Sequence, residues 1–467
     1  MGVLALVVFL PASTADTAPI PAAVATPSAS DPLTVDFDAS TSTADSGRAI
    51  VEYRWDFGDG LIVSGARASH RFAMGGPHGV TLTIVDDQGI SASTIVSVLL
   101  QPEAVALASG AKSIVWGKRL SVSGTVAPAT LGSEVVLEQE GVRGWRPLTS
   151  APADASGRFS AAVAPTRSGA LRARVVTTGS VSPPVAIEVA PLVRLRSSPG
   201  FAFAGAKIVA TIWPRSYSGR IAATVRQDNR VVGRAAGRAS RGQLELTVPT
   251  PGPGRFGVSL ELGAQPGLDA HAVWTGVRAR ARTLEVGFRG PEVEALAGRL
   301  TELRFHLPRS GEQYAPELSD AVIAFQKSAG LPRTGIGSGR VWRALAGATP
   351  LTPRYRTPAR HIEVDKKRQI LMVVRGGRIT GVLPASTGAT DNTPEGSFKI
   401  LWKAPTTTTW LGPAILYRTL TFHGGFAIHG FDPVPAYPAS HGCVRVPIWA
   451  ADWLYEQSPV GERIFIY

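Results

Sequence analysis

Short stretches in which apolar and polar residues alternate recur along most of this chain. Val80-Thr81-Leu82-Thr83-Ile84-Val85-Asp86 is the clearest. A period of two sends successive side chains to opposite faces, so this run predicts a half-buried β-strand. The same pattern predicts strands over 119–126, 134–139, 157–160 and 170–175. Gly, Pro and Ser clusters separate these runs, and Asp59-Gly60 marks a tight turn. The period changes after residue 283. Val293, Leu296, Leu300 and Leu303 recur at spacings of 3, 4 and 3, which is one face of a helix. A second apolar helix is predicted over 321–327. Strand signals return at 370–374, 379–383 and 397–400, with Gly376-Gly377 as a hairpin turn. Pro447 opens a short helix over 448–454, and 464–466 closes the chain as a strand.

These shifts divide the chain. A signal-like segment and linker over 1–32 precede β modules at 33–101, 102–190 and 191–283. A helical module spans 284–347, and a last module spans 357–467. A length of 467 residues is too long for one core. Gly (50) and Pro (36) punctuate the chain as all-β modules require, and a hydrophobic fraction of 44% excludes wholesale disorder. The net charge of +13 raises the question of nucleic acid. The charge is spread over every segment without a basic stripe interleaved with aromatics, which argues against it. Arg outnumbers Lys 40 to 8, a bias that fits a GC-rich genome. A basic exported chain would be drawn to anionic wall polymers. The apolar run over 3–10 is too short to span a bilayer and fits a signal-peptide core that lacks a positively charged start. Cleavage options fall near Ser13-Thr14-Ala15 and Ala23-Val24-Ala25. No other segment is apolar enough to cross a membrane.

Cys443 is the only cysteine, so it forms no disulfide within the chain. It sits in Ser440-His441-Gly442-Cys443-Val444-Arg445, 14 residues after His429. Acyl transfer needs a nucleophile, a base in reach and donors for the oxyanion. Cys443 can be the nucleophile, since an imidazole readily lowers a thiol pKa. His429 or His441 can be the base, and Gly442 can turn backbone N–H groups towards a substrate oxygen. Two other readings use the same residues. One is a zinc site from His423, His429, His441 and Cys443, although paired ligand spacings are missing. The other is an inert buried thiol among core histidines. The glycine after both His429 and His441 argues instead for exposed turns.

Several segments resemble known families. Trp55-Asp56-Phe57-Gly58-Asp59-Gly60 with the strand over 80–86 resembles the PKD-type β-sandwich; Asp56 and Asp59 would either hold a metal or ligand or, the favoured reading, serve turn chemistry and strand termination. Residues 102–190 and 191–283 look like Ig-like domains. Ala321-Val322 through Phe325-Gln326 to Gly330-Leu331-Pro332 and Thr334-Gly335 resembles a three-helix peptidoglycan-binding domain. Ala297 and Arg304 stand there in place of the usual Gln and Gly. The last module resembles the L,D-transpeptidase catalytic domain of YkuD type. The matching motifs are His429-Gly430, Ser440-His441-Gly442-Cys443-Val444-Arg445, Ser386-Thr387-Gly388 and Thr393-Pro394-Glu395-Gly396-Ser397-Phe398. The fold class expected is therefore multidomain and mainly β. It combines tandem β-sandwiches, a small three-helix domain and a C-terminal mixed-sheet β-sandwich of L,D-transpeptidase type.

The resemblance implies an exported enzyme of the bacterial cell wall or extracytoplasmic space. Cys443 would attack the carbonyl before the terminal D-Ala of a peptidoglycan stem and form a thioester. His429 would be the base, oriented by the Gly430 carbonyl. His441, Gly442 and Ser440 would shape the oxyanion site. Arg445 and Tyr417 would contact substrate, with Trp410 and Tyr417 in a flap. No cofactor or metal is implied, and the partners would be peptidoglycan stems and glycan. Water or a protein amine as acceptor would make the enzyme an L,D-carboxypeptidase or an anchoring transpeptidase. A chain without activity would be a cell-wall-binding protein.

Overall fold

The computed structural model of the chain describes residues 17–29, 31–128, 133–308, 311–409 and 412–467. The chain forms two compact units, Met1–Leu192 with Ala264–Asp269, and Val193–Gly263 with Ala270–Tyr467. The fold is mainly β, with four helices among the described residues.

In the first unit, a three-stranded and a four-stranded sheet enclose Trp55, Phe37, Phe57, Leu82 and Ile84. The run over 80–86 lies within the strand Gly76–Asp86, and its alternation is visible as alternating burial. Asp56 and Asp59 are spent on turns: Asp56 accepts from the Gly58 N–H (2.9 Å) and Asp59 from the Leu61 N–H (3.1 Å). One boundary moves. The strand Val24–Pro27 pairs antiparallel with Thr34–Asp38, so the first sandwich begins upstream of residue 33. This strand buries no side chain fully, so it leaves no alternation to read. The cleavage option at Ala23-Val24-Ala25 falls on this ladder, and the option at Ser13-Thr14-Ala15 lies outside the described residues. A second sandwich follows, with sheets of three and five strands.

The second unit opens with another pair of three- and five-stranded sheets. Helices α1 (Pro291–Glu302), α2 (Pro316–Ser328) and α3 (Gly339–Gly347) come next. Val293, Leu296 and Leu300 are buried on α1, and Leu303 at its end, as their spacing requires. The last module has two sheets. One is ordered Arg378–Pro384, Ile370–Arg375, His361–Asp365, Arg463–Ile466, Gly396–Lys399. The other is ordered Trp402–Thr409, Gly412–His423, Phe426–Gly430, Val444–Val446, and its last pair is parallel. Helix α4 (Ile448–Gln457) packs on the second sheet.

The first of these sheets is buried on both faces. Along Ile370–Arg375, Leu371 and Val373 face the core shared with the second sheet. Ile370, Met372 and Val374 face the core of the helical module. A strand buried on both faces reads as a continuous apolar run, which is what Ile-Leu-Met-Val-Val is. After α1 the chain turns through Arg304 at φ 70° and pairs with the outermost strand. There the Val382 N–H donates to the Arg304 carbonyl (2.8 Å) and the His306 N–H to the Val382 carbonyl (3.0 Å).

Candidate active site

His429 and Cys443 come from neighbouring strands. His429 lies in Phe426–Gly430, and Cys443 immediately precedes Val444–Val446. The two strands run parallel with His429 opposite Arg445. This parallel pairing buries His429, whereas the sequence reading placed it in an exposed turn. His441 does lie on an exposed bend, and Cys443 is partly exposed.

The imidazole has a defined orientation. His429 Nδ1 lies 2.9 Å from the Gly430 carbonyl oxygen. A carbonyl can only accept, so Nδ1 carries the proton and Nε2 is left as an acceptor. Burial pushes the His429 pKa below its usual range, partly offset by the Gly430 bond and deepened by the Arg445 cation. Burial also raises the Cys443 pKa, against the Ala427 N–H and the Arg445 cation, which favour the thiolate. The expectation of a thiol pKa lowered by imidazole is therefore corrected. Desolvation of the sulfur outweighs its polar neighbours, so the same burial that disfavours the imidazolium of His429 disfavours the thiolate of Cys443.

The turn that carries the thiol is braced from several sides. The Ser440 hydroxyl donates to the Cys443 carbonyl (2.6 Å) and accepts from the Gly442 N–H (3.0 Å). The Gly442 N–H, expected among the oxyanion donors, is thus turned inward to Ser440. Gly442 has φ +123°, and a Cβ there would lie 2.2 Å from the Phe426 ring. The Ser386-Thr387-Gly388 motif grips the same loop. Ser386 and Arg445 exchange backbone bonds, and Ser386 Oγ donates to the Tyr437 carbonyl (2.7 Å). The Ala439 and Ser440 N–H groups both donate to the Thr387 carbonyl. Thr393 accepts from the Gly388 N–H and donates to the Gly442 carbonyl, both at 2.8 Å.

Residues 359–466 match the family model of the L,D-transpeptidase catalytic domain. An L,D-transpeptidase structure (residues 123–326) from Xylanimonas cellulosilytica is 35% identical, with 98% of that chain and 40% of this one covered and a TM-score of 0.38. Residues 359–466 are an L,D-transpeptidase catalytic domain.

An L,D-transpeptidase from Stackebrandtia nassauensis is also similar, at 22% identity over 94% of its chain and 39% of this one (TM-score 0.27). Residues 16–99 match the PKD domain, and 289–345 match a family described as "Putative peptidoglycan binding domain". The PKD1 domain of the Vibrio cholerae metalloprotease PrtV is 29% identical over 99% of its chain and 18% of this one (TM-score 0.17).

Two expected substrate contacts in this domain have other partners. The Tyr417 hydroxyl donates to Asp452 Oδ1 on α4 (2.8 Å). Its flap companion Trp410 lies outside the described residues. Arg445 donates to the Ala439 carbonyl (3.0 Å) and lies 4.1 Å over the Phe431 ring. His423 packs against Phe398 and Phe426, and no group of three potential metal ligands occurs among the described residues. The sequence reading missed Asn392, whose side chain donates to the His441 carbonyl (2.9 Å). Its position beside the Thr393-Pro394 motif was the available signal. Lys327 and Arg333 of the helical module were also missed, because nothing local ties them to a site over a hundred residues away.

Proposed function

We propose that the chain is an exported cysteine acyltransferase that cross-links peptidoglycan stem peptides. The observation that carries this reading is the His429 imidazole, held at Nδ1 by the Gly430 carbonyl on the strand beside the one Cys443 opens. Nε2 would accept the thiol proton as sulfur attacks the carbonyl before the terminal D-Ala. The C–N bond then breaks, the amine takes the proton from His429 and D-Ala leaves a Cys443 thioester. An incoming diamino-acid amine gives its proton to Nε2 and attacks the thioester; the C–S bond breaks, and the sulfur takes that proton back from Nε2 as the thiol. With the Gly442 N–H committed to Ser440, the Cys443 N–H is the backbone donor that the turn offers the oxyanion. The match at 289–345 supports peptidoglycan as substrate and a place outside the cytoplasm. No helix among the described residues is long and apolar enough to cross a membrane.

Purified tetrapeptide muropeptides test the reading. Wild type should release D-Ala and form dimers detectable by mass spectrometry, and Cys443→Ala should do neither. Release by Cys443→Ala would overturn the nucleophile. Release without dimers would assign water as the acceptor.

A further inference from the structure

Three side chains of the helical module reach the segments that carry and flank Cys443. Lys327 is buried at the end of α2, and its Nζ donates to the Ala385 carbonyl (2.8 Å). Ala385 directly precedes Ser386, which is bonded to Arg445 and Tyr437. Asp320, two turns earlier on α2, accepts from Trp449 Nε1 (2.9 Å), on the helix that follows the Cys443 strand. Arg333, in the loop after α2, donates from Nη1 to the Ala436 carbonyl (2.7 Å), midway between His429 and Cys443. A domain that only tethered the enzyme to the wall would have no need of these bonds.

We propose that the helical module is a wall of the active site, and that Arg333, with Lys327 and Asp320 behind it, is a positioning residue for the 431–443 loop. The inference rests on the acyl-transfer reading above. The loop has few other holds between Phe431 and Pro438: Phe431 bonds through its N–H to Val446, and Tyr437 accepts from Ser386. Ala436 is thus held from the helical side, by a charged donor on a neighbouring module. Small displacements of a reacting group cost large factors in rate, so this hold should be visible in turnover. The cations and anions around it belong to the same device. Lys327 faces Arg333 and Asp320, and Asp320 faces Glu317 on its own helix and Asp432 on the loop itself. Burial brings the Lys327 pKa down to about 7 and the Asp320 pKa up to about 6, so both titrate close to neutrality.

The test uses the full chain and a soluble tetrapeptide without glycan, for which wall binding is irrelevant. Arg333→Ala should lower kcat by roughly tenfold with KM within about twofold, and Arg333→Lys should restore most of the loss. Binding to isolated sacculi should be unchanged. Lys327→Met should act in the same direction, and the exposed Arg333 decides the matter should that variant misfold. A wild-type kcat in Arg333→Ala, or lost sacculus binding with turnover intact, would overturn the proposal. Iodoacetamide alkylation of Cys443 gives a readout that needs no turnover. Arg333→Ala should alkylate at least about threefold faster, as a loosened loop uncovers the sulfur. An inactive wild type would sink the acyl-transfer reading, and the alkylation rates would still decide this one.

Discussion

His429 and Cys443 are set by desolvation more than by each other. Because burial lowers the imidazole pKa, the base form is present at neutral pH. The acid limb of kcat/KM against pH should have its midpoint below 6.5. Because burial raises the thiol, alkylation of Cys443 in the absence of substrate should have its midpoint above 9.0. The Arg445 cation disfavours imidazolium and favours thiolate, so Arg445→Ala should move both midpoints upward. Lys327 gives a stability test. Its folded pKa of about 7 lies below the ordinary 10.5, so between those values the unfolded chain binds more protons than the folded one. Wild-type stability should therefore rise with pH across that window relative to Lys327→Met, as followed by Tm. That His429 arrives from a strand beside the Cys443 segment was legible from its spacing. The inward turn of the Gly442 N–H was not, because it depends on Ser440 rotating its hydroxyl into the loop.

At the scale of elements, periodicity located strands and helices well where one face is buried and the other wet. It also located wrapped elements but was silent about what covers them. Helix α2 buries Leu318, Val322 and Phe325 on one side and also Ala324, Gln326 and Lys327 on others. Asp320 and Lys327 lie seven residues apart on one side of the helix, and both bond to the catalytic module. The turn after α1 shows the reverse case. Arg304 stands where the resembling family has Gly, and its φ of 70° is the left-handed conformation that Gly adopts without strain. Arg304→Gly should raise stability by about 1 kcal/mol in urea unfolding, since only the backbone of Arg304 bonds to Val382. Gly442→Ala should do the opposite locally. Its Cβ would strike the Phe426 ring, and loss of acyl transfer should exceed loss of Tm.

Across the second unit, the boundary between helical and catalytic modules is a boundary in sequence only. One face of the catalytic sheet, with Ile370, Met372, Val374, Ile379 and Val382, belongs to the helical core. Residues 357–467 expressed alone should expose that face, bind an apolar dye such as ANS and lose solubility relative to the full chain. The module order was readable because each module carries its own period or motif. The shared core was not, since an apolar run does not say which neighbour covers it. The short pairing of Arg304 and His306 with Val382 has a further consequence. Arg378–Pro384 is the outermost strand of its sheet, and such a strand offers a row of free amides and carbonyls to any passing chain. Filling part of that row from within denies it to a second molecule. The strap after α1 thus leaves fewer free edge groups for sheet-to-sheet aggregation between copies of the chain.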